Sequence, residues 1–295
     1  MKKHLFTILS VCVTGFITSQ TLPNAGFESW TVASYENPAN YMTSNMQSNN
    51  NGVGAVNAFK TTDAFHGNYA LRLNTLVSGV DTLMAFAAVG DPGQSPAQGG
   101  LPYNQKPTGL TFHYKSNIIS GDSALVFVEF KKSGISIGSY MYTIGNTQAS
   151  YGVFSRVFNP ALPQIPDTVV FAFASSNAFA NVAKAGNMLE VDSLNFTGVA
   201  FQPPSFDGDF ETWQTFTTSR LNNWITFDNA TRTTDNYNGT YALELQTSSA
   251  GFGGNGSNQT GFAMTGRWVP MGAPAGGHPY TQQIDTLVLL SLIHI

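Results

Sequence analysis

The chain is short of charge and almost without cysteine. Only 10% of its 295 residues are Asp, Glu, Lys or Arg, well under the usual quarter. Its surface polarity must come from Asn, Thr, Ser, Gln and Gly instead, a style common in secreted β-proteins. The thirteen Lys and Arg are scattered, with no basic stripe, which argues against nucleic acid as a partner. The single cysteine, Cys12, sits in an apolar run near the start. Beyond it no disulfide can form, so core burial or a metal must hold the fold together. After that run no stretch of eighteen apolar residues occurs, and no membrane span is expected. Also missing are an HExxH sequence, histidines at ligand spacing and any Cys pair.

The first nineteen residues read as a signal peptide. Lys2 and Lys3 precede the apolar run Leu5 to Ile17, which is too short to cross a bilayer comfortably and is followed by polar sequence. Its reading is export: a secreted or cell-surface protein.

An internal repeat organises the rest. TTDAFHGNYALRLNT, Thr61–Thr75, returns as TTDNYNGTYALELQT, Thr233–Thr247, with nine of fifteen positions identical. Tyr69, Leu71 and Leu73 alternate with polar residues, as do Tyr241, Leu243 and Leu245, the period of a half-buried strand. Gly67 and Gly239 supply a turn able to take positive φ. NAGFESW, Asn24–Trp30, is echoed by DGDFETW, Asp207–Trp213, and GGLPY, Gly99–Tyr103, by GGHPY, Gly276–Tyr280. Three echoes in one order predict two homologous domains rather than a short-period solenoid.

Between Thr108 and Thr197 nearly everything alternates as strand, and no segment of ten residues shows helical period. The expected fold is all-β: tandem β-sandwich (jelly-roll) domains, the second truncated. The boundaries read as domain one over 20–200, a Pro203-Pro204 linker over 201–205, and domain two over 206–295. Domain two stops about half-way through the fold of domain one. The closing LSLIHI loses the alternation, so the chain reads as a fragment whose last residues are not native sequence.

The candidate chemistry is sparse. Glu28 and Asp192 belong to the expected first and last strands, which often lie side by side in a sandwich. With carbonyls of the His66-Gly67-Asn68 turn they would make an oxygen cage for Ca²⁺; the plainer reading is a turn cap and a surface strand start. Sugars stack on exposed aromatic faces, and among 37 aromatics Tyr103, Tyr114, Tyr140, Tyr142, Tyr151 and Trp268 are candidates. Tyr140 and Tyr142 share one strand face and are the preferred platform, with Tyr103 beside them; core packing is the competing role for each. Trp30 and Trp213 are assigned to the core. GISIG, Gly134–Gly138, matches a nucleophile elbow but leads into strand rather than helix. GFGGNG, Gly251–Gly256, reads as a loop. Glu129, Glu190 and Glu244 are expected on solvated faces.

The ordered series GFE-x-W, HGNYALRL, GDSALVFVEF, PDTVVFAFASS and LEVDSLNF resembles the carbohydrate metabolism domain of Bacteroidetes secreted proteins and, more broadly, jelly-roll carbohydrate-binding modules. The resemblance covers Asn24–Thr197 fully and Asp207–Leu290 in part. It implies a structural Ca²⁺ held by Glu28 and Asp192 with carbonyls near Asn24 and Gly67, and an incomplete counterpart at Glu211. The resulting expectation is a non-catalytic module at or outside the cell surface with a polysaccharide or glycan as partner. The alternatives are a structural or adhesive spacer with no sugar ligand and, less favoured, a glycan-cleaving enzyme using two carboxylates across a cleft.

Overall fold

The computed structural model describes residues 21–50, 54–78, 81–91, 96–180, 183–227, 230–248, 259–266 and 276–281. The expected signal peptide, Trp268, the GFGGNG sequence and the terminal LSLIHI lie outside them. The fold is all-β, as the alternation predicts. In chain order the strands are β1 (Trp30–Pro38), β2 (Met42–Thr43), β3 (Ala58–Thr61), β4 (Ala70–Asn74), β5 (Leu76–Ser78), β6 (Asp81–Leu83), β7 (Phe86–Val89) and β8 (Leu101–Pro102). They continue as β9 (Gly109–Asn117), β10 (Ala124–Lys132), β11 (Ile135–Ile144), β12 (Gln148–Val157), β13 (Thr168–Ala174), β14 (Met188–Thr197) and β15 (Trp213–Leu221). The one α-helix among the described residues is a seven-residue turn, Ser44–Asn50.

Two sheets face each other in the first repeat. One runs β11-β10-β13-β7-β2, with β8 also on β13; the other runs β12-β9-β14-β4-β3. Every strand pairing among the described residues is antiparallel, so each strand can turn one apolar face to the core and the other outward. Phe112 of β9, Phe130 of β10, Phe171 and Phe173 of β13 and Leu189 of β14 fill the space between, all fully buried. GISIG opens β11 within a hairpin and forms no elbow. Fragments of the second repeat pair in the same manner: Ile225–Phe227 with Phe262–Met264, and Ala230–Thr233 with Ala242–Leu245.

The repeats do not close on themselves. β1 pairs along its whole length with β15, Trp30 opposite Leu221 and Pro38 opposite Trp213. These are the same strand of the two repeats, so the ribbon is close to self-complementary about a two-fold. Its consequence is an exchange. Residues 206–213, which open the second repeat, pack into the first sandwich, where Phe206 and Phe210 are 1% and 0% exposed and belong to its core. The Tyr41 hydroxyl donates to Phe206 O at 3.1 Å, and its ring lies 5.6 Å from that of Phe210. Reciprocally, Phe27 packs edge-on against Trp224 of the second repeat at 5.4 Å. The expected boundary at residue 206 therefore cuts through one hydrophobic core. The expected neighbourhood of first and last strands also fails: β14 lies between β9 and β4, and β1 lies in the ribbon.

Phe210→Ala should thus destabilise the first sandwich, by about 3–5 kcal/mol if the cavity stays open. Phe27→Ala, at a half-buried site, should cost less. Urea unfolding of the full chain reads both; equal and small losses would contradict the shared core.

Candidate functional site

The opening segments form a compact hook, built identically twice. Asn24 and Phe27 have φ of 52° and 56°, and Asp207 and Phe210 have 41° and 53°. Asn and Asp enter the left-handed region readily, whereas a Phe there costs of the order of 1–3 kcal/mol and must be held. Two bonds hold it in each hook. The Phe27 amide donates to Asn24 O, and the Trp30 indole donates to Phe27 O at 2.5 Å. Phe210 N does the same to Asp207 O, and the Trp213 indole to Phe210 O at 2.6 Å. This is why Phe, Glu and Trp keep their spacing: the strained Phe enters a core and Trp locks its carbonyl. The Glu between them is left pointing across to the other repeat.

Each Glu lands in the glycine turn of the repeat it does not belong to. Glu211 Oε1 accepts from the amides of Asn68 and Tyr69 at 2.8 and 3.0 Å. Glu28 Oε1 and Oε2 accept from those of Thr240 and Tyr241 at 3.0–3.3 Å. Gly67 (φ 75°) and Gly239 (φ 99°) sit under these carboxylates, and a Cβ on either would collide with the seated Oε1. The glycines are thus required twice over, by backbone conformation and by the space the carboxylate takes. Burial works against ionisation of Glu211, but the amide bonds from Tyr69 and Asn68 outweigh it and hold the carboxyl below its ordinary value.

The residues named for Ca²⁺ are therefore split. Asn24 and Glu28 meet the second repeat, whereas Gly67, Asp192 and Glu211 meet at the first-repeat turn. Asp192, fully buried, accepts through Oδ2 from Phe65 N and His66 N at 2.7 and 2.9 Å. Both carboxylates at this turn are thus occupied by N–H donors, which a cation would have to displace. Among the described residues no group of three His, Asp, Glu or Cys side chains is placed to hold a metal. With these donors in place the arrangement does not fit the expected oxygen cage.

The loop carrying this turn, residues 62–69, also folds over the outer face of the five-stranded sheet. Strand register sets a row of side chains across that face: Phe59, Arg72, Glu190 and Lys115 from β3, β4, β14 and β9. Tyr151 of β12 ends the row, its ring 4.5 Å from the Lys115 ammonium. Arg72 binds Glu190 at 2.5 Å, the Tyr151 hydroxyl donates to Glu190 at 2.9 Å, and Lys115 lies 3.8 Å from it. Burial, and after it Glu190, pushes the Tyr151 phenol well up. From the loop, Asp63 pairs with Lys115 and lies 3.6 Å from Arg72, while the Phe65 ring stacks on His113 at 3.5 Å. Beside Arg72 opens a groove of about 410 Å³, lined by Asn74, Leu76, Val77, Gly186 and Met188 among others. Asn74 Oδ1 is buried there without a hydrogen-bond donor. Another cavity, of about 320 Å³ at Arg220–Ile225, borders the seat of the first hook: Asn24 reaches Asn222 O and the Trp224 indole donates to Pro23 O.

The preferred aromatics lie elsewhere. Tyr140 and Tyr142 share a face, but it is the inner one. Tyr140 is 5% exposed, stacks on Phe158 at 4.3 Å and donates to Pro160 O, and Tyr142 packs on the core beside Phe154. Tyr103 is 2% exposed, between Phe130 and Phe196. None of the three is on a platform. Glu190 and Glu129 do leave their sheets outward, yet both are covered, Glu190 by the ion cluster and Glu129 by the Ala97 amide. Arg72, Lys115 and Asp63 were missed, because only register brings them together; the signal was Arg72 alternating with Leu71 and Leu73 inside the repeat.

Hook electrostatics differ at one position. In the first hook the Asn24 side-chain amide donates to Ser29 O and Asn222 O and accepts from Ser29 N, each at 2.9 Å. Asp207 takes the equivalent place, and its Oδ2 is buried without a donor. Burial first, then the neighbouring Asp209 charge, push its carboxyl from 3.8 to about 6. The folded state thus holds this proton more tightly than the unfolded one. Its contribution is full below pH 3.8, falls as pH rises and is lost above about 6. Asp207→Asn should remove that fall and stabilise the protein at pH 7. The whole shift would correspond to about 3 kcal/mol, but the group is part-exposed and screening brings the expected gain to about 1 kcal/mol. Melting curves from pH 4 to 8 check this; an unchanged pH profile would refute it. Chelation of divalent ions should leave the wild-type midpoint in place, and a clear drop would restore the cation to the turn.

No family model matches the chain, and no curated protein matches it. Among solved structures it is similar to the enzymatically active domain of tailspike protein 4 of bacteriophage CBA120, at 13% identity over 58% of this chain, with a TM-score of 0.30. That match spans only 20% of the tailspike chain. It is also similar to a family 11 carbohydrate-binding module from Clostridium thermocellum, at 14% identity over 59% of this chain and 91% of that one, TM-score 0.30. A family 16 carbohydrate-binding module matches at 13% identity over 47% and 83%, TM-score 0.30.

Proposed function

We propose that the chain is an exported, non-catalytic carbohydrate-binding β-sandwich protein that offers glycan the outer face of the five-stranded sheet. One observation carries the reading: a row of side chains with an aromatic at either end, Phe59 and Tyr151, runs across all five strands beside an open groove. Asn74 lines that groove, and its Oδ1, buried behind the wall, has no donor from the protein. The Asn74 amide on that wall suits a sugar hydroxyl, and the apolar walls at Leu76, Val77 and Met188 suit the C–H faces of a pyranose. Catalysis is not supported by the same row. Glu190 is neutralised by Arg72 and Lys115, and Asp192 is taken up by backbone amides, so neither is placed as a free general acid or base. The second reading, a structural spacer, draws on the β1–β15 ribbon, which ties the repeats together independently of any ligand.

Affinity electrophoresis of the full chain through gels containing soluble xylan, mixed-linkage β-glucan or galactomannan tests this directly. One of these should retard the protein, and Asn74→Ala should weaken retardation about tenfold by removing a hydrogen bond in a buried site. Met141→Ala, on the outer face of the opposite sheet, should leave it unchanged. A folded protein that none of these retards would favour the spacer, and release of reducing sugar would reopen the enzyme reading.

A further inference from the structure

We propose that the second repeat's hook is a clamp on the candidate ligand face of the first, with Glu211 as its positioning residue. Loop 62–69 has two attachments of different origin. At its beginning it is tied to the first sandwich: Asp63 to Lys115 and Arg72, Tyr151 to the Asp63 carbonyl at 2.6 Å, Phe65 to His113, and the Phe65 and His66 amides to Asp192. At its end, past Gly67, the amides of Asn68 and Tyr69 are held by Glu211, more than 140 residues away and in the other repeat. The Asn68 side chain adds a 3.3 Å contact to Glu211 Oε2. The seven residues Asp63–Tyr69 thus bridge the ion cluster and the foreign hook, with Gly67 leaving room for the carboxylate alone.

The geometry makes the first repeat's face dependent on the second repeat. Asp63 lies on the Arg72–Glu190–Lys115 row, and Phe65 covers the neighbouring His113 and reaches Tyr151 at the end of the row, so the position of the loop sets how much of that face is open. Releasing Glu211 leaves two amides without an acceptor and lets the loop lift from its hinged end. The ties at Asp63, Phe65 and His66 then restrain it from its first-sandwich end only. The matching contact in the chain, Glu28 on Thr240 and Tyr241, holds the turn of the second repeat instead. The two glutamates are therefore alike as joints and unlike in what they control.

The ligand arm of this proposal rests on the carbohydrate reading; the loop arm does not. In the full chain, amide exchange by mass spectrometry and retardation in the same polysaccharide gels would be compared for wild type, Glu211→Ala and Glu28→Ala. Glu211→Ala should speed exchange at residues 65–69 and change retardation, each about tenfold, the loss of one charge-assisted hydrogen bond. Glu28→Ala should speed exchange at residues 239–241 and leave residues 65–69 and retardation at wild-type values. Should Glu211→Ala fail to fold, Glu211→Gln keeps the shape without the charge and should show the loop effect in smaller measure. Unchanged exchange at 65–69 in the Glu211 variants, or equal loosening of 65–69 by Glu28→Ala, would overturn the clamp. A wild type bound by no polysaccharide would remove the carbohydrate reading alone, because the exchange result still decides the loop.

Discussion

A carboxylate laid across the amides of a glycine turn, and supplied each time by the other repeat, is the contact on which this molecule depends. Backbone N–H groups at a turn of positive φ point outward with no partner in their own strand. A charged acceptor satisfies two of them at once, with bonds about twice as strong as neutral ones. The same contact fixes the sequence around it. Glycine is needed where the carboxylate lies, Phe must be buried to hold the strained hook, and Trp must hold the carbonyl of that Phe. Because β1 and β15 run the length of each other, the two glutamates are kept at opposite ends of a ribbon of roughly 25–30 Å.

Much of this was legible in the sequence. Alternation predicted the strands of the first sandwich because each sheet has one wet and one dry side, and β9, β10, β13 and β14 all fall within the alternating stretch from Thr108 to Thr197. The repeat also pointed to Glu28, Glu211, Gly67 and Gly239 as a set. What the repeat could not convey is which copy each member serves. A hook and a turn from the same repeat, or from different repeats, have the same sequence, and only the path of the ribbon tells them apart. Period-two patterning is similarly blind to direction when both faces are covered. Tyr140 and Tyr142 alternate with Met141 whichever way the strand faces, and it is Met141, 53% exposed, that points out. Glu190 looked like a solvated residue because its three partners come from three other strands.

The architecture also changes what a domain means for this chain. Sequence repeats end near residue 205, yet the first hydrophobic core includes Phe206 and Phe210, so the folding unit overruns the repeat by a hook. Exchange of identical elements is a low-cost way to join subunits, and here it operates inside one chain. It couples the repeats without a disulfide, which the lone Cys12 could not provide. It also carries the loop over the candidate ligand face, so that architecture and binding share the same few residues.

The most direct measurement asks which turn each hook occupies. With Cys12→Ser as background, Glu28→Cys would be combined either with Thr240→Cys or with Asn68→Cys, and each pair treated with a bismaleimide much shorter than the ribbon. Exchange predicts rapid intrachain cross-linking of the first pair and none of the second, read as gel mobility and confirmed by peptide mapping. Cross-linking of positions 28 and 68, with 28 and 240 left unlinked, would mean that each repeat keeps its own hook and would contradict the account at its root.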